Sequence, residues 1–192
     1  MSTPLNSHVR QEMMDAGVWQ EGHFVLSSGL HTNVKLDMER MLSRRNAMRL
    51  RAVLHPLAMI AIEREYDDLV PVPNGALMLA KEADLPNGFP RVLPAKIDVH
   101  EFTIPHPAAI ALIRKAGRIG IFDDVVTTGR TPLAMADAVR RINPDVELDL
   151  LAIWRRGTLD AEVNQMFTRQ TFLIEENIPA WLEQECTEHD RV

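Results

Sequence analysis

Apolar positions along this chain fall into two kinds of run that take turns. One kind is short and nearly solid: residues 69–73 (LVPVP), 119–122 (IGIF), 148–154 (LDLLAIW) and 171–174 (TFLI). Runs of this length, bounded by turn formers, predict strands covered on both faces. The other kind has helical spacing, as in ALMLAKEA at 76–83 and the amphipathic segment 132–142, which Asn143 and Pro144 stop. A helix-compatible segment also separates the last two strands, and a shorter run at 91–93 opens a long irregular stretch through Pro107. This alternation predicts an α/β fold with a mostly parallel central sheet and helices on both faces. Ligands in such sheets bind beyond the carboxyl ends of the strands, so the residues after these runs are the first candidates for function.

The N-terminal part reads differently. Thr3 as cap, Pro4 as first helical residue and Gly17 as stop predict a helix over 4–16, with Leu5, Val9 and Met13 on one side. GHFVLSSGLHTNVKLD at 22–37 predicts strand and loop. Helical spacing returns over 43–65, where Met48, Ala52, Leu57 and Ile60 fall near one stripe and the methionines from Met38 to Met59 read as core. Pro56 is expected to kink or split that helix.

Composition narrows the class. A chain of 192 residues, 46% hydrophobic, predicts one domain spanning 1–192 with a core that needs no staple. Cys186 stands alone, so neither an internal disulfide nor a cysteine-cluster zinc site is expected; it reads as an incidental thiol. The formal net charge is −6 and no basic block is interleaved with aromatics, which argues against nucleic-acid partners. No apolar stretch approaches the ~20 residues of a membrane span, and the first residues lack the pattern of a secretory signal. A cytoplasmic, membrane-free setting is the expectation.

The segment with the strongest chemical content is IGIFDDVVTTGRT at 119–131. Thr127, Thr128, Gly129 and Thr131 offer hydroxyls and a Cβ-free position on which backbone N–H groups can converge. With Thr131 as cap and Pro132 as first helical residue, the positive end of a helix points at the same spot, which makes a phosphate cradle. Asp123 and Asp124 at the strand end can accept hydrogen bonds from vicinal sugar hydroxyls and help hold a hydrated Mg²⁺. The chain lacks GxxxxGK[ST], GxGxxG and HExxH, so the usual triphosphate, dinucleotide and zinc-protease motifs are absent. His23 and His31 read equally as structural hydrogen-bond partners or as catalytic residues, and the pair His100 and His106 as polar loop.

IGIFDDVVTTGRT resembles the phosphoribosyl-pyrophosphate (PRPP) signature of the type I phosphoribosyltransferases. Three further blocks in order resemble the orotate branch of that family: GHFVLSSGLHTNVKLD at 22–37, LVPVPNGALMLA at 69–80 and LAIWRRG at 151–157. The resemblance implies a single domain whose small hood comes from about 1–40 and 170–192. It also implies Mg²⁺-dependent transfer of phosphoribose from PRPP to a base, and a homodimer in which the loop near Lys96 approaches the neighbour's site. Carried residue by residue, Asp123 and Asp124 would hold the ribose hydroxyls and, through water and PRPP, the Mg²⁺. Val125, Val126, Thr127, Thr128, Gly129, Arg130 and Thr131 would line the 5-phosphate, and Pro73, Asn74 and Gly75 would form the pyrophosphate loop. Lys96 and His100 would act from the catalytic loop. Thr127, Ser28, Lys35 and Arg155, with Arg156 as the second choice of arginine, would meet the base.

The catalytic loop departs from the family pattern: PRVLPAKIDVHEFTIPHP keeps Lys96 and His100, lacks a second Lys and gains Asp98 and Glu101. Losing one well-placed donor or charge costs roughly 3 kcal/mol in a transition state. Near the base, aromatic positions are replaced by Lys35 and Leu36. The resemblance makes orotate the first candidate base; transfer to another base, which the changed Lys35 and Leu36 positions would fit, and non-catalytic PRPP binding, which the depleted loop would fit, are the open alternatives.

Overall fold

The structure, a computed structural model, describes residues 4–26, 29–73, 75–83, 88, 90–98 and 101–186. Four parallel strands form the central sheet: β3 (Asp68–Pro71), β6 (Arg118–Val126), β7 (Glu147–Arg155) and β8 (Arg169–Glu175), in the order β3-β6-β7-β8. Residues 148 to 154 of β7 are all buried, so both faces of the sheet are covered, as the solid apolar runs require. Helices α1 (Pro4–Asp15), α2 (Ala47–Glu63), α3 (Gly75–Ala83), α4 (Pro107–Lys115), α5 (Arg130–Arg140) and α6 (Ala161–Met166) supply the cover. One contiguous apolar cluster runs from Val9 to Ile178. Among the described residues no helix is long and apolar enough to cross a membrane.

Two smaller hairpins complete the fold: β1 (Trp19–Val25) with β2 (His31–Leu36), and β4 (Ala95–Asp98) with β5 (Glu101–Thr103), both antiparallel. The first sits at the carboxyl end of the sheet. There Trp19 packs on Trp154 at 5.8 Å between ring centroids, and Arg156 donates to Thr32 Oγ1 at 3.2 Å. The C-terminal segment closes on it through a bridge in which His31 and Trp181 exchange both main-chain N–H···O bonds at 2.8 Å.

Several expectations change. α1 ends where Gly17 takes φ 78°, as expected, but the Thr3 cap lies outside the described residues. α2 runs unbroken through Pro56, and its buried face is Leu50, Val53, Leu54, Leu57, Ala58 and Ala61. Met48 is 76% exposed and Met59 46%, so the methionine-rich stretch is core only at Met38 and Met41. Residues 91–93 form no strand. They are held instead by the buried carboxylate of Asp68, which accepts N–H bonds from Arg91 at 3.0 Å and Val92 at 2.6 Å. Burial pushes that carboxyl above the usual range. The stretch expected to be irregular contains the β4–β5 hairpin, and α4 begins at its last residue. His106 caps α4, its Nδ1 accepting from the Ala108 N–H at 3.3 Å, with Pro107 as first residue.

Candidate active site

β6 carries the acids further into the sheet than the apolar run alone suggests. It continues to Val126, and Asp123 pairs with Ala152, Val125 with Trp154 and Val126 with Arg155 in register with β7. Asp123 is 6% exposed and its Oδ1 accepts the Asp124 N–H at 3.0 Å. Burial, then the neighbouring Asp124 charge, raises the Asp123 carboxyl well above its ordinary range; burial also raises Asp124. Two adjacent acids held this way are destabilising while both are ionised, and a polyhydroxylated or cationic ligand relieves the conflict.

Asp124, half-buried, leans over the first residue of α3. A Cβ built on Gly75 would lie 2.1 Å from Asp124 Oδ2 and 2.7 Å from its Cγ, so only glycine leaves room for the carboxylate at that helix start. Asp124 and Gly75 line an open cavity of about 340 Å³ with Lys35, Leu36, Met78 and Leu79. Lys35, carried by β2, is thus brought to the acids, although nearly 90 residues separate them in sequence.

Beyond β6 the chain turns through Thr127 and Thr128, both half-buried, to Gly129 with φ 87°. A side chain at Gly129 would meet Val163 Cγ2 at 2.6 Å, so the turn needs glycine for space as well as for φ. α5 begins at Arg130 with Gly129 as its N-cap and no side-chain cap, which corrects the expected cap at Thr131. Pro132 stands third in the helix, where its missing N–H leaves no hydrogen bond unmade. Asp160 ties this turn down: its N–H donates to the Thr128 carbonyl at 2.8 Å and its carboxylate pairs with Arg130 at 3.1 Å. The turn and the first residues of α5 therefore lie at the carboxyl end of β6.

The remaining candidates divide. Pro73 lies in the turn before α3, while Asn74, Ser28 and His100 lie outside the described residues. Lys96 is exposed on β4 and is not part of the cavity's lining. Arg155 ends β7, pairs with Glu175 and stacks over the Phe172 ring at 5.4 Å. Arg156 turns inward, 4% exposed, with burial lowering its pKa. Sequence reasoning gave no place to Met78 and Leu79, whose helical spacing marks them only as one side of α3.

The acid pair has a measurable signature. Asp123→Asn keeps the oxygen that accepts the Asp124 N–H and mimics the protonated side chain. Because the folded-state pKa is raised above the unfolded value of about 3.9, the folded chain holds the extra proton between the two values. Stability of the unliganded protein is therefore greatest below that window and falls as pH rises through it. Asp123→Asn is expected to raise the neutral-pH Tm by a few degrees, at about 2–4 °C per kcal/mol, and to flatten this pH dependence. Thermal unfolding scans from pH 4 to 8 check both.

No family model matches the chain. Its fold is that of the type I phosphoribosyltransferases. In sequence it is 24% identical over 178 residues to the orotate phosphoribosyltransferase of Sulfurimonas denitrificans, covering 90% of this chain and 83% of that one. Among solved structures, Aeropyrum pernix orotate phosphoribosyltransferase superposes with a TM-score of 0.64 at 22% identity, over 87% of this chain and 93% of that one. The Mycobacterium tuberculosis H37Rv orotate phosphoribosyltransferase in complex with PRPP gives 0.58 at 18%, over 90% and 96%. Leishmania donovani UMP synthase gives 0.68 at 18% over 90% of this chain, which spans about 36% of that larger protein. The chain is thus similar to type I phosphoribosyltransferases, and to orotate phosphoribosyltransferases in particular.

Proposed function

We propose that this protein transfers a phosphoribosyl group from PRPP to a nitrogenous base, with orotate the first candidate. The observation that carries this reading is the convergence of Asp124 on the glycine start of α3, beside a glycine turn that opens α5. In this reading the turn from Thr127 to Thr131 binds the 5-phosphate, and Asp123 and Asp124 accept from the ribose hydroxyls. The start of α3 receives the pyrophosphate, whose bond to C1 breaks as the base nitrogen bonds to C1 and gives up its proton to solvent or to the departing pyrophosphate. No nucleophilic side chain is needed, because catalysis lies in holding charge around a cationic ribosyl group.

The buried carboxylate pair suits a hard divalent cation, which takes oxygen ligands and keeps several waters. Asp124 and Asp123 would hold Mg²⁺ through water and PRPP, and when bound the ion neutralises charge on the departing pyrophosphate. In this reading Lys96, exposed on β4 and outside its own cavity's lining, would serve the site of a second copy in a homodimer.

Arg155 is the candidate for the carboxylate of an acidic base, which then competes with Glu175. Partly exposed pairs of this kind are worth about 1 kcal/mol or less, so the exchange is feasible. Arg155→Ala is expected to raise KM for orotate about tenfold or more. Glu175→Gln is expected to lower it up to about fivefold, the equivalent of 1 kcal/mol. Steady-state kinetics check the pair.

The function itself is tested by incubating the protein with PRPP, Mg²⁺ and orotate, beside uracil, hypoxanthine, guanine, adenine and xanthine, and separating products by chromatography. A nucleoside monophosphate with orotate alone supports the reading. Turnover with a different base transfers the assignment to that base, and turnover with none, while PRPP still binds, rejects the enzyme reading in favour of a PRPP-binding regulator.

A further inference from the structure

Three side chains of metal-ligand type meet at the far end of the β1–β2 hairpin, away from the carboxylates. His23 comes from β1, His31 opens β2, and Cys186 follows the last described helical turn. His23 Nε2 lies 2.9 Å from His31 Nδ1 and 3.4 Å from Cys186 Sγ. All three ligand atoms fall within 4.8 Å of one another. The imidazoles sit 5.0 Å apart, centroid to centroid, at 39° between planes.

This meeting is built by main-chain structure. His31 is 5% exposed and fixed by its bridge to Trp181. Thr32 Oγ1 donates to the Pro179 carbonyl at 2.8 Å, which holds the C-terminal segment against the same strand. Cys186 reaches the histidines only because that segment returns to the hairpin.

We propose that His23, His31 and Cys186 bind Zn²⁺. Around a tetrahedral zinc, with bonds of about 2.0–2.1 Å to nitrogen and 2.3 Å to sulfur, ligand atoms are separated by about 3.3 Å for N···N and 3.5 Å for N···S. The observed 2.9 and 3.4 Å need an opening of only a few tenths of an ångström, and the His31 and Cys186 ligand atoms, within 4.8 Å of each other, must stand about 3.5 Å apart, changes that side-chain rotation can supply. One thiolate and two neutral imidazoles are a borderline-soft donor set that prefers Zn²⁺ to Mg²⁺, so this site is chemically distinct from the carboxylate pair. Three protein ligands leave the fourth position to water. Binding replaces the proton on Cys186 by the metal and releases it to solvent, with no change of oxidation state. The ion clips the C-terminal segment to the hood, adjacent to the Thr32–Arg156 contact.

The test uses the whole chain freed of metal by chelation, titrated with Co²⁺ as a spectroscopic stand-in and then with Zn²⁺. The expected result is one Co²⁺ per chain with a thiolate-to-cobalt absorption band, displaced by Zn²⁺, together with proton release and a Tm raised by several degrees. Cys186→Ser, a half-exposed position near the end of the described chain, should abolish the band and weaken Zn²⁺ binding about a hundredfold. His23→Gln should weaken it at least tenfold. Absence of the thiolate band, or equal Zn²⁺ affinity in wild type and Cys186→Ser, overturns the proposal. Failure here leaves the PRPP assignment intact, because neither histidine nor Cys186 belongs to that site.

Discussion

Replacing Asp124 by Asn is expected to weaken PRPP binding about a hundredfold while leaving the fold intact or slightly firmer. The carboxylate would accept charge-assisted hydrogen bonds from ribose hydroxyls, each worth about 1.5–3 kcal/mol, and it faces the cavity. In the unliganded protein the same charge is a burden, because burial disfavours it and it raises the carboxyl of Asp123. Affinity and stability therefore move in opposite directions in this variant. Calorimetric titration with PRPP and Mg²⁺, paired with a melting curve, checks the split. Lower affinity together with a much lower Tm would show that Asp124 serves folding and not the ligand.

Gly75→Ala is expected to be the more damaging change. Its new Cβ would stand 2.1 Å from Asp124 Oδ2, so either the carboxylate swings out of the cavity or the start of α3 shifts. A displacement of about 1 Å at a positioning residue costs on the order of a hundredfold in rate, and overpacking costs about 1–3 kcal/mol in stability. A fall of about a hundredfold in kcat/KM for PRPP is expected, with a Tm lower by several degrees. The clash is with the end of one side chain, so the two positions should be coupled. In an Asp124→Ala background, Gly75→Ala should cost little further stability. An equal stability loss in both backgrounds would place the strain in the α3 backbone instead.

The parts of the fold that the sequence made legible are those where one physical rule acts alone. Buried parallel strands must be solidly apolar, so β3, β6, β7 and β8 stand out, and Gly129 marks the turn after β6. Legibility failed where tertiary structure overrode local pattern. The polar pair Asp123 and Asp124 ended the apolar run early, whereas register with β7 carries the strand to Val126. α2 rotated away from the expected stripe because Leu50, Val53, Leu54, Leu57, Ala58 and Ala61 make a wider apolar face than one drawn through Met48. Asp68 takes the place of a strand ladder at residues 91–93, which no periodicity encodes. α4 matches no expected element, although Pro107 is a favourable first helical residue and AAIALIRK is helix-forming. Lys35 lining one cavity with Asp124, and Cys186 beside two histidines, are products of chain return and have no local signal.

In the proposed function Asp123, Asp124, the start of α3 and the turn into α5 would together bind PRPP. The most direct measurement is calorimetric titration of the wild-type protein with PRPP in Mg²⁺, repeated in the presence of pyrophosphate and of ribose 5-phosphate. The account predicts one PRPP per chain, with each half-ligand competing and binding lost in Asp124→Asn. PRPP binding that neither half-ligand displaces and that Asp124→Asn leaves unchanged, or no binding at all, would contradict it.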